Sequence, residues 1–316
     1  LLQGRGERIM STVAILLSTY NGEKYLREQI DSLLNQRGAE VHIYARDDGS
    51  SDNTLNILAE YKAKNDNFDF NAKKNVGVGN AFMQMVYSVP KVYDYYAFAD
   101  QDDVWEEDKI SEAIEFLQFR NARLYTSNQE NVDAELKPLG MRYNSEKDVN
   151  LTVESILTEN KLAGCTMVFT AEFCNMLADE KHRPTEDLLR NRIHDVWLAS
   201  VAALTDGLIY DNRSFIKYRQ HGNNVVGAFK EPLNKRIKQK FKKLKNKKLR
   251  CGRSMLAGEL SERFPEYVSA HPLVQVCASV KSRGGKKRVL KNGKELRKYS
   301  GENRLSFFIK VIMGWF

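Results

Sequence analysis

The sequence predicts an α/β protein: a doubly wound, mostly parallel central sheet followed by a basic, mainly helical C-terminal extension. Three observations carry that prediction. Short apolar, strand-like runs alternate with stretches of helical periodicity over about the first 120 residues. Several of those runs stop abruptly in polar or acidic loops, as strands do at the ligand-binding edge of an open α/β sheet. The composition also changes sharply at residue 230, beyond which Lys and Arg number 24 against 6 Asp and Glu.

Residues 12–17 form a continuous apolar, partly β-branched run, the pattern of a buried strand, and end in the turn cluster Ser18-Thr-Tyr-Asn-Gly22. Residues 23–36 then place Leu26, Ile30, Leu33 and Leu34 at helical spacing. Residues 41–45 read as the second strand. They lead into Arg46-Asp-Asp-Gly-Ser-Ser-Asp52, where Asp52 or Asn53 caps a helix carrying Leu55, Leu58 and Tyr61. A short third strand at 68–70 is followed by the glycine-rich turn Asn75-Val-Gly-Val-Gly-Asn80 and a helix bearing Phe82, Met85 and Val86. The fourth strand, 95–99, is aromatic or small and apolar, and it stops at Asp100, Asp102 and Asp103. A helix at 106–120 and strands at 123–127 and 165–170 follow, the latter two flanking a polar, turn-rich segment. Residues 194–204 form an apolar helix opening on His194-Asp195, and a strand at 208–218 leads into Arg219-Gln-His-Gly-Asn-Asn224.

The acid cluster after the fourth strand organises the chain. Like charges a few ångströms apart repel and raise one another's pKa. A divalent cation bridging to a phosphate relieves that conflict, and hard oxygen ligands suit Mg²⁺ or Mn²⁺. Helix capping near Glu106 accounts for one of the three carboxylates only. Other chemistries lack their signatures. There is no Gly-Lys-Ser/Thr phosphate loop and no nucleophile elbow. Asn75–Asn80 follows the third strand and lacks Gly-x-Gly-x-x-Gly spacing, so it reads either as a backbone approach to a donor or as plain turn chemistry. Cys165, Cys174, Cys251 and Cys277 are scattered, which argues against a disulfide framework or zinc site and makes a reducing compartment the default. No signal peptide is visible; Met10 reads as the natural start and residues 1–9 as an expression scar.

With those residues in place, the chain resembles the inverting nucleotide-sugar glycosyltransferases of family 2, which have the GT-A fold. The matching pieces are Ser18–Gly22 with Tyr25-Leu26, Asp47–Asp52, Asn75-Val-Gly, Asp100–Trp105 and His194-Asp195, with the His221 region fitting as well. The wording of Asp100–Trp105, Gly164-Cys-Thr-Met and Tyr218-Arg-Gln-His looks most like bacterial rhamnosyltransferases of surface polysaccharide synthesis, those of capsule and cell wall. The resemblance implies a dTDP-rhamnose donor, with a UDP-hexose as the alternative, and a lipid-linked glycan acceptor. It implies that Thr19 and Tyr20 hold the pyrimidine base and that Asp48, or its competitor Asp47, accepts the base N3–H. Asn21, Glu23, Asn75, Gly77, Asn80 and Gln101 join them as donor-binding residues, and Asp100 contacts the ribose. Asp102 and His221 hold the Mg²⁺ or Mn²⁺, Asp195 is the base that deprotonates the acceptor, and Trp105, Gly164, Cys165, His194 and Arg219 lie on the acceptor side. Members often show Glu-Asp where this chain has His194-Asp195, which leaves the base and puts the Glu's role in doubt.

On this reading residues 1–229 are a GT-A-like catalytic domain and residues 230–316 a basic helical region for membrane association. Residues 235–250 hold ten Lys or Arg in sixteen and no acid, with Ile237, Phe241 and Leu244 on one face, the pattern of a helix that lies on anionic lipid. Residues 304–316 are apolar but too short to span a bilayer. Together they predict a peripheral location on the cytoplasmic face of the cell membrane. A solvated helix, or a homodimer contact through the apolar end, is the competing reading. Two rival functions remain in view: a nucleotidyltransferase, for which Lys24 is a poor activating residue, and a nucleic-acid-binding protein. The latter is disfavoured because the basic tail lacks interleaved aromatics and the first 229 residues carry a net charge of −10.

Overall fold

The computed structural model describes residues 10–191, 193–221 and 252–316. A nine-stranded sheet separates two helical layers, with strand order β3-β2-β1-β4-β8-β6-β9-β5 and β7 paired to β6. The central strand β1 (Ser11–Thr19) is flanked in parallel by β2 (Ala39–Asp47) and β4 (Tyr95–Ala99), and β3 (Phe68–Ala72) adds in parallel to β2. Val13 to Leu17 are fully buried because side chains on both faces of β1 meet a helical layer. Val13, Ile15 and Leu17 face α1 (Leu26–Leu34), α2 (Thr54–Lys64) and α4 (Lys109–Arg120). Ala14 and Leu16 face the opposite layer, which includes α3 (Val78–Ser88).

The second half of the sheet is mixed. The strands β8 (Val168–Thr170) and β6 (Leu124–Val132) run antiparallel to their neighbours, whereas β9 (Leu208–Arg219) lies parallel to β6. The two-residue strand β5 (Val104–Trp105) pairs antiparallel to β9, and β7 (Pro138–Met141) to β6. The turn-rich segment between β6 and β8 thus contains the hairpin strand β7 and a short helix, α5 (Val153–Thr158). Beyond β8 come α6 (Ala171–Ala178), α7 (Glu186–Asn191) and α8 (His194–Leu204). The last of these is apolar all round, and Val196 to Ala202 are buried.

From residue 252 the described chain is helical: α9 (Gly252–Arg263), α10 (Pro265–Val268), α11 (Pro272–Ala278), α12 (Gly285–Lys291), α13 (Gly293–Ser300) and α14 (Arg304–Ile312). These helices share a core with the sheet. Leu256, Leu260 and Phe264 pack in the cluster that holds Trp197, and the Phe264 ring stacks on His182 at 4.4 Å. Thr158 Oγ1 donates to the Tyr299 carbonyl at 3.1 Å, tying α5 to the end of α13. The basic run at 235–250 lies outside the described residues. Among the described residues no helix is long and apolar enough to cross a membrane.

Candidate active site

The parallel register brings the carboxyl ends of β1, β2 and β4 to one edge, with Thr19 opposite Asp47 and Leu17 opposite Ala99. Side-chain bonds lace the loops that follow. The Asp47 carboxylate accepts from the Gly49 and Ser50 amides at 3.0 and 2.9 Å, from Thr19 Oγ1 at 3.1 Å and from Ser50 Oγ. Asp48 accepts from Arg46 Nη2 at 3.1 Å and from the Val76 and Gly77 amides at 3.0 Å, so it fixes the β3–α3 loop. Asn21, at φ 50°, takes the Ser51 amide on its Oδ1 at 2.8 Å, and Glu23 takes the Asn53 amide at 2.9 Å. Those bonds zip the loop after β1 to the loop after β2. Tyr20 is 50% exposed; its amide donates to Gln101 Oε1 at 2.7 Å, and Gln101 Nε2 returns a bond to the Tyr20 carbonyl at 3.1 Å. A Cβ on Gly22 would lie 2.3 Å from Gln101 Oε1, so glycine is needed for that side chain to reach Tyr20.

The acid loop after β4 has an exposed side and a buried one. On the cleft side, Asp102 Oδ2 lies 2.7 Å from His221 Nε2, beside the Tyr25 ring. Burial raises the Asp100 carboxyl to about 7, with further upward pushes from Asp102 and Asp195. Carboxylates from the β4–β5 loop and from the first turn of α8 are therefore near enough to feel one another's charge. On the buried side, Asp103 is raised well above the usual carboxylate range by burial, then by Asp102 and Asp100, and Cys165 packs beside it with its thiol likewise pushed up by burial. Below them Lys109 is fully buried, its Nζ 3.6 Å from the centre of the Trp105 ring, and burial lowers it to about 7.

Asp195 sits in the first turn of α8, where the helix dipole favours an ionised carboxylate, and its Oδ1 accepts the Val196 amide at 2.6 Å. Two glycines allow that helix end to dock. A Cβ on Gly79 would meet the Leu189 carbonyl oxygen at 2.4 Å, and one on Gly164 would meet His194 Nε2 at 2.5 Å. His194 is wedged between Phe82 and Phe98, with ring centroids 4.0 and 5.0 Å away.

Comparisons with known proteins identify the family of the chain. The family model for Glycosyl transferase family 2 matches residues 14–177, over half the chain. The dTDP-rhamnosyl transferase RfbG of Shigella flexneri is 34% identical over 237 residues, covering 72% of this chain and 78% of that protein. The chain belongs to glycosyl transferase family 2. Among solved structures, TarS of S. aureus in complex with UDP aligns over 95% of this chain and 81% of its own with a TM-score of 0.58 at 17% identity. The mannosyltransferase PcManGT of Pyrobaculum calidifontis, solved with GDP-Man and Mn2+, aligns over 97% of this chain and 87% of its own with a TM-score of 0.51 at 13% identity. These likenesses speak to the fold, which is of the GT-A type.

Tyr20, Asp100, Asp102 and His221 stand at the sheet's carboxyl edge with Asp195 near them, and other predicted residues are buried beneath it or tied into its loops. Thr19, Asp47 and Asp48 are buried and hydrogen-bonded, and they shape the loops that follow β1 and β2. Gly77 directs its amide at Asp48, and Asn80 donates to the Val76 carbonyl at 3.3 Å; Asn75, although exposed, accepts from the Gly77 amide at 3.2 Å. The acceptor-side assignments need correction. Trp105, Gly164, Cys165, His194 and Arg219 are all buried, each under the cleft floor or in the core. Arg219 donates through Nε to the Asp102 carbonyl at 2.9 Å, through its amide to Asp103 Oδ1 at 3.1 Å, and through its guanidinium to Glu28 and the Ala134 carbonyl. It holds the acid loop from behind. Lys109, Arg46 and Glu28 were missed at the sequence level. A lysine opening a helix and a glutamate on an amphipathic face carry no local signal of such partners.

Asp102 and His221 suit a divalent cation. Their donor atoms meet at 2.7 Å, and Asp100 next door carries repulsion that added positive charge would relieve. A mixed carboxylate–imidazole set admits Mn²⁺ more readily than Mg²⁺, which prefers oxygen alone. Ligand atoms of Asp100, Asp103 and Cys165 also lie within 4.8 Å of one another, but Asp103 and Cys165 are buried, and burial pushes both toward their protonated forms, which weakens them as ligands.

Two predictions arise here. His194 takes up a proton only near pH 3 because burial disfavours its charge, whereas an unfolded histidine does so near 6.5. Below pH ~6.5 the unfolded chain therefore binds more protons, and stability falls as pH drops toward 3. His194→Phe should remove that loss, so that between pH 7 and 5 the wild type loses about 2 kcal/mol more than the variant in denaturant titrations. Arg219→Lys keeps the charge but not the fork that reaches three partners. It should cost about 2–4 kcal/mol in urea unfolding and raise the donor KM by loosening Asp102.

Proposed function

We propose that this family 2 glycosyltransferase moves rhamnose from dTDP-rhamnose, with inversion at C1, onto a lipid-linked glycan during surface polysaccharide synthesis. What supports the reading is the acid loop after β4, where Asp102 Oδ2 lies 2.7 Å from His221 Nε2 and Asp195 of the α8 first turn is near enough to raise Asp100, because one acid group beside a diphosphate and another beside an incoming alcohol are what an inverting transfer needs. The 34% identity to a dTDP-rhamnosyl transferase supports the donor.

In this mechanism the exposed Tyr20 ring stacks on the pyrimidine, held by its two bonds to Gln101. Asp100 lies next along the edge and takes the ribose. Asp102 and His221 would hold Mn²⁺ or Mg²⁺, which when bound supplies positive charge against the diphosphate. Asp195, in the first turn of α8, accepts the proton of the acceptor hydroxyl as that oxygen attacks C1 from the face opposite the leaving group. Residues 1–229 serve as the catalytic unit. Residues 230–316 face the cytoplasmic leaflet, where a lipid-linked acceptor would lie, with the run 235–250 and the end 304–316 meeting anionic lipid.

A thermal-shift panel of dTDP-, UDP- and GDP-sugars with Mn²⁺ tests the donor. The expected order puts dTDP-rhamnose first and GDP-sugars last. A GDP-sugar giving the largest shift would overturn the assignment.

A further inference from the structure

The last helix is built the wrong way round for a helix that ends on water. In α14 the inner face is Phe307 and Val311, both buried in the core of the C-terminal helices. The outer face carries Leu305, Phe308, Ile309, Ile312 and Met313, each between 43% and 68% exposed. Their spacing of three and four residues aligns them in one ridge along the helix. A contiguous ridge of this kind marks a surface that something covers.

We infer that the α14 ridge inserts into the interface of an anionic lipid bilayer. The surrounding charge selects that occupant. Helices α12 and α13 pack beside α14, and Lys286 Nζ donates to the Ile312 carbonyl at 2.6 Å, at the very end of the ridge. Lys287, Lys291 and Lys294 on the same two helices are exposed. Residues 281–316 as a whole hold 11 Lys and Arg against 2 Asp and Glu. A second copy docking through this face in a two-fold pair would set that positive rim against its own image. An anionic leaflet offers the opposite charge around an apolar interior, the complement of an apolar ridge inside a basic rim.

The assignment rests on the lipid-linked acceptor for its biological sense, but it differs from it in what it demands. The ridge, and not only the run at 235–250, must carry the binding. It also fixes an attitude on the surface: α14 lies in the interface plane with its Phe307–Val311 side toward the protein. A nine-residue helix held by its inner face to α12 and α13 presents a rigid, preformed ridge.

Flotation of the full chain with vesicles of phosphatidylcholine, with and without phosphatidylglycerol, tests the inference. The wild type should float with the anionic vesicles only. The double variant Phe308→Asp, Ile309→Asp, altered at exposed positions, should bind them at least about tenfold more weakly. Lys286→Glu with Lys287→Glu should weaken binding by roughly fivefold per residue. Equal flotation of the Phe308/Ile309 variant and the wild type would overturn the inference. So would a wild type that ignores anionic vesicles yet dimerises in sedimentation through the same residues. Hydrolysis of the donor in the absence of acceptor, measured on the same samples, should be unchanged in the ridge variants. Failure of the wild type to turn over dTDP-rhamnose would count against the proposed donor while leaving the flotation result standing.

Discussion

Replacing Asp195 by Asn is expected to lower kcat by about 10²- to 10⁴-fold while leaving donor affinity unchanged. The substitution preserves size and keeps an oxygen to accept the Val196 amide, so the first turn of α8 should hold its shape. It removes the basicity. In an inverting transfer the alcohol becomes a competent nucleophile only as its proton leaves, and among the carboxylates at this edge Asp195 alone comes from the α8 side of the cleft. Calorimetric titration with the dTDP-sugar should give the same Kd for both proteins, and product formation should separate them. A variant that retains more than about a tenth of wild-type turnover would remove Asp195 from the base role. Loss of donor binding together with turnover would instead mean that the residue supports the donor pocket.

The residues that proved legible in the sequence are those whose environment is local. Val13 to Leu17 read as a buried strand because both faces of β1 are covered, which forces an unbroken apolar run. The acid loop stood out in the sequence because three carboxylates after a strand are more than one helix cap explains, and the structure gives Asp103 a buried partner in the Arg219 amide. Strand direction in the second half was not legible, since apolar spacing does not encode which way β6 or β8 runs. Asp47 and Asp48 could not be distinguished because the difference between them is tertiary. Asp47 holds the Gly49 and Ser50 amides of its own loop and Thr19 at the end of β1, whereas Asp48 reaches the Val76 and Gly77 amides of the β3–α3 loop. Arg219 makes the same point more strongly. Its partners at Glu28, Asp102 and Ala134 come from three separate segments, and no spacing rule links them. His194 was misplaced for a further reason: a histidine beside a catalytic candidate suggests chemistry, yet its ring fills a hole that only Gly164, Phe82 and Phe98 define.

Asp102→Asn should produce the second large effect, a loss of about 10³-fold in turnover together with loss of the Mn²⁺-dependent part of donor binding. The reasoning runs through charge. Asp102 and His221 bring their donor atoms to 2.7 Å, and the carboxylate supplies the only formal negative charge of that pair. An amide there leaves one imidazole, which binds a hard cation weakly, and the diphosphate would then leave without its counter-charge. His221→Ala should be milder, because the carboxylate survives; a loss of roughly tenfold, with raised metal concentration restoring much of it, fits a supporting ligand. The measurement is a metal titration of donor turnover for the three proteins, with unfolding curves as a check on the fold. Asp102 is also coupled to Asp100, so its neutralisation should lower the Asp100 pKa and modestly relieve the acid loop in the metal-free chain. Metal dependence and metal-free stability are therefore expected to move in opposite directions in Asp102→Asn. A residue with only a structural part in the loop would instead lose both together.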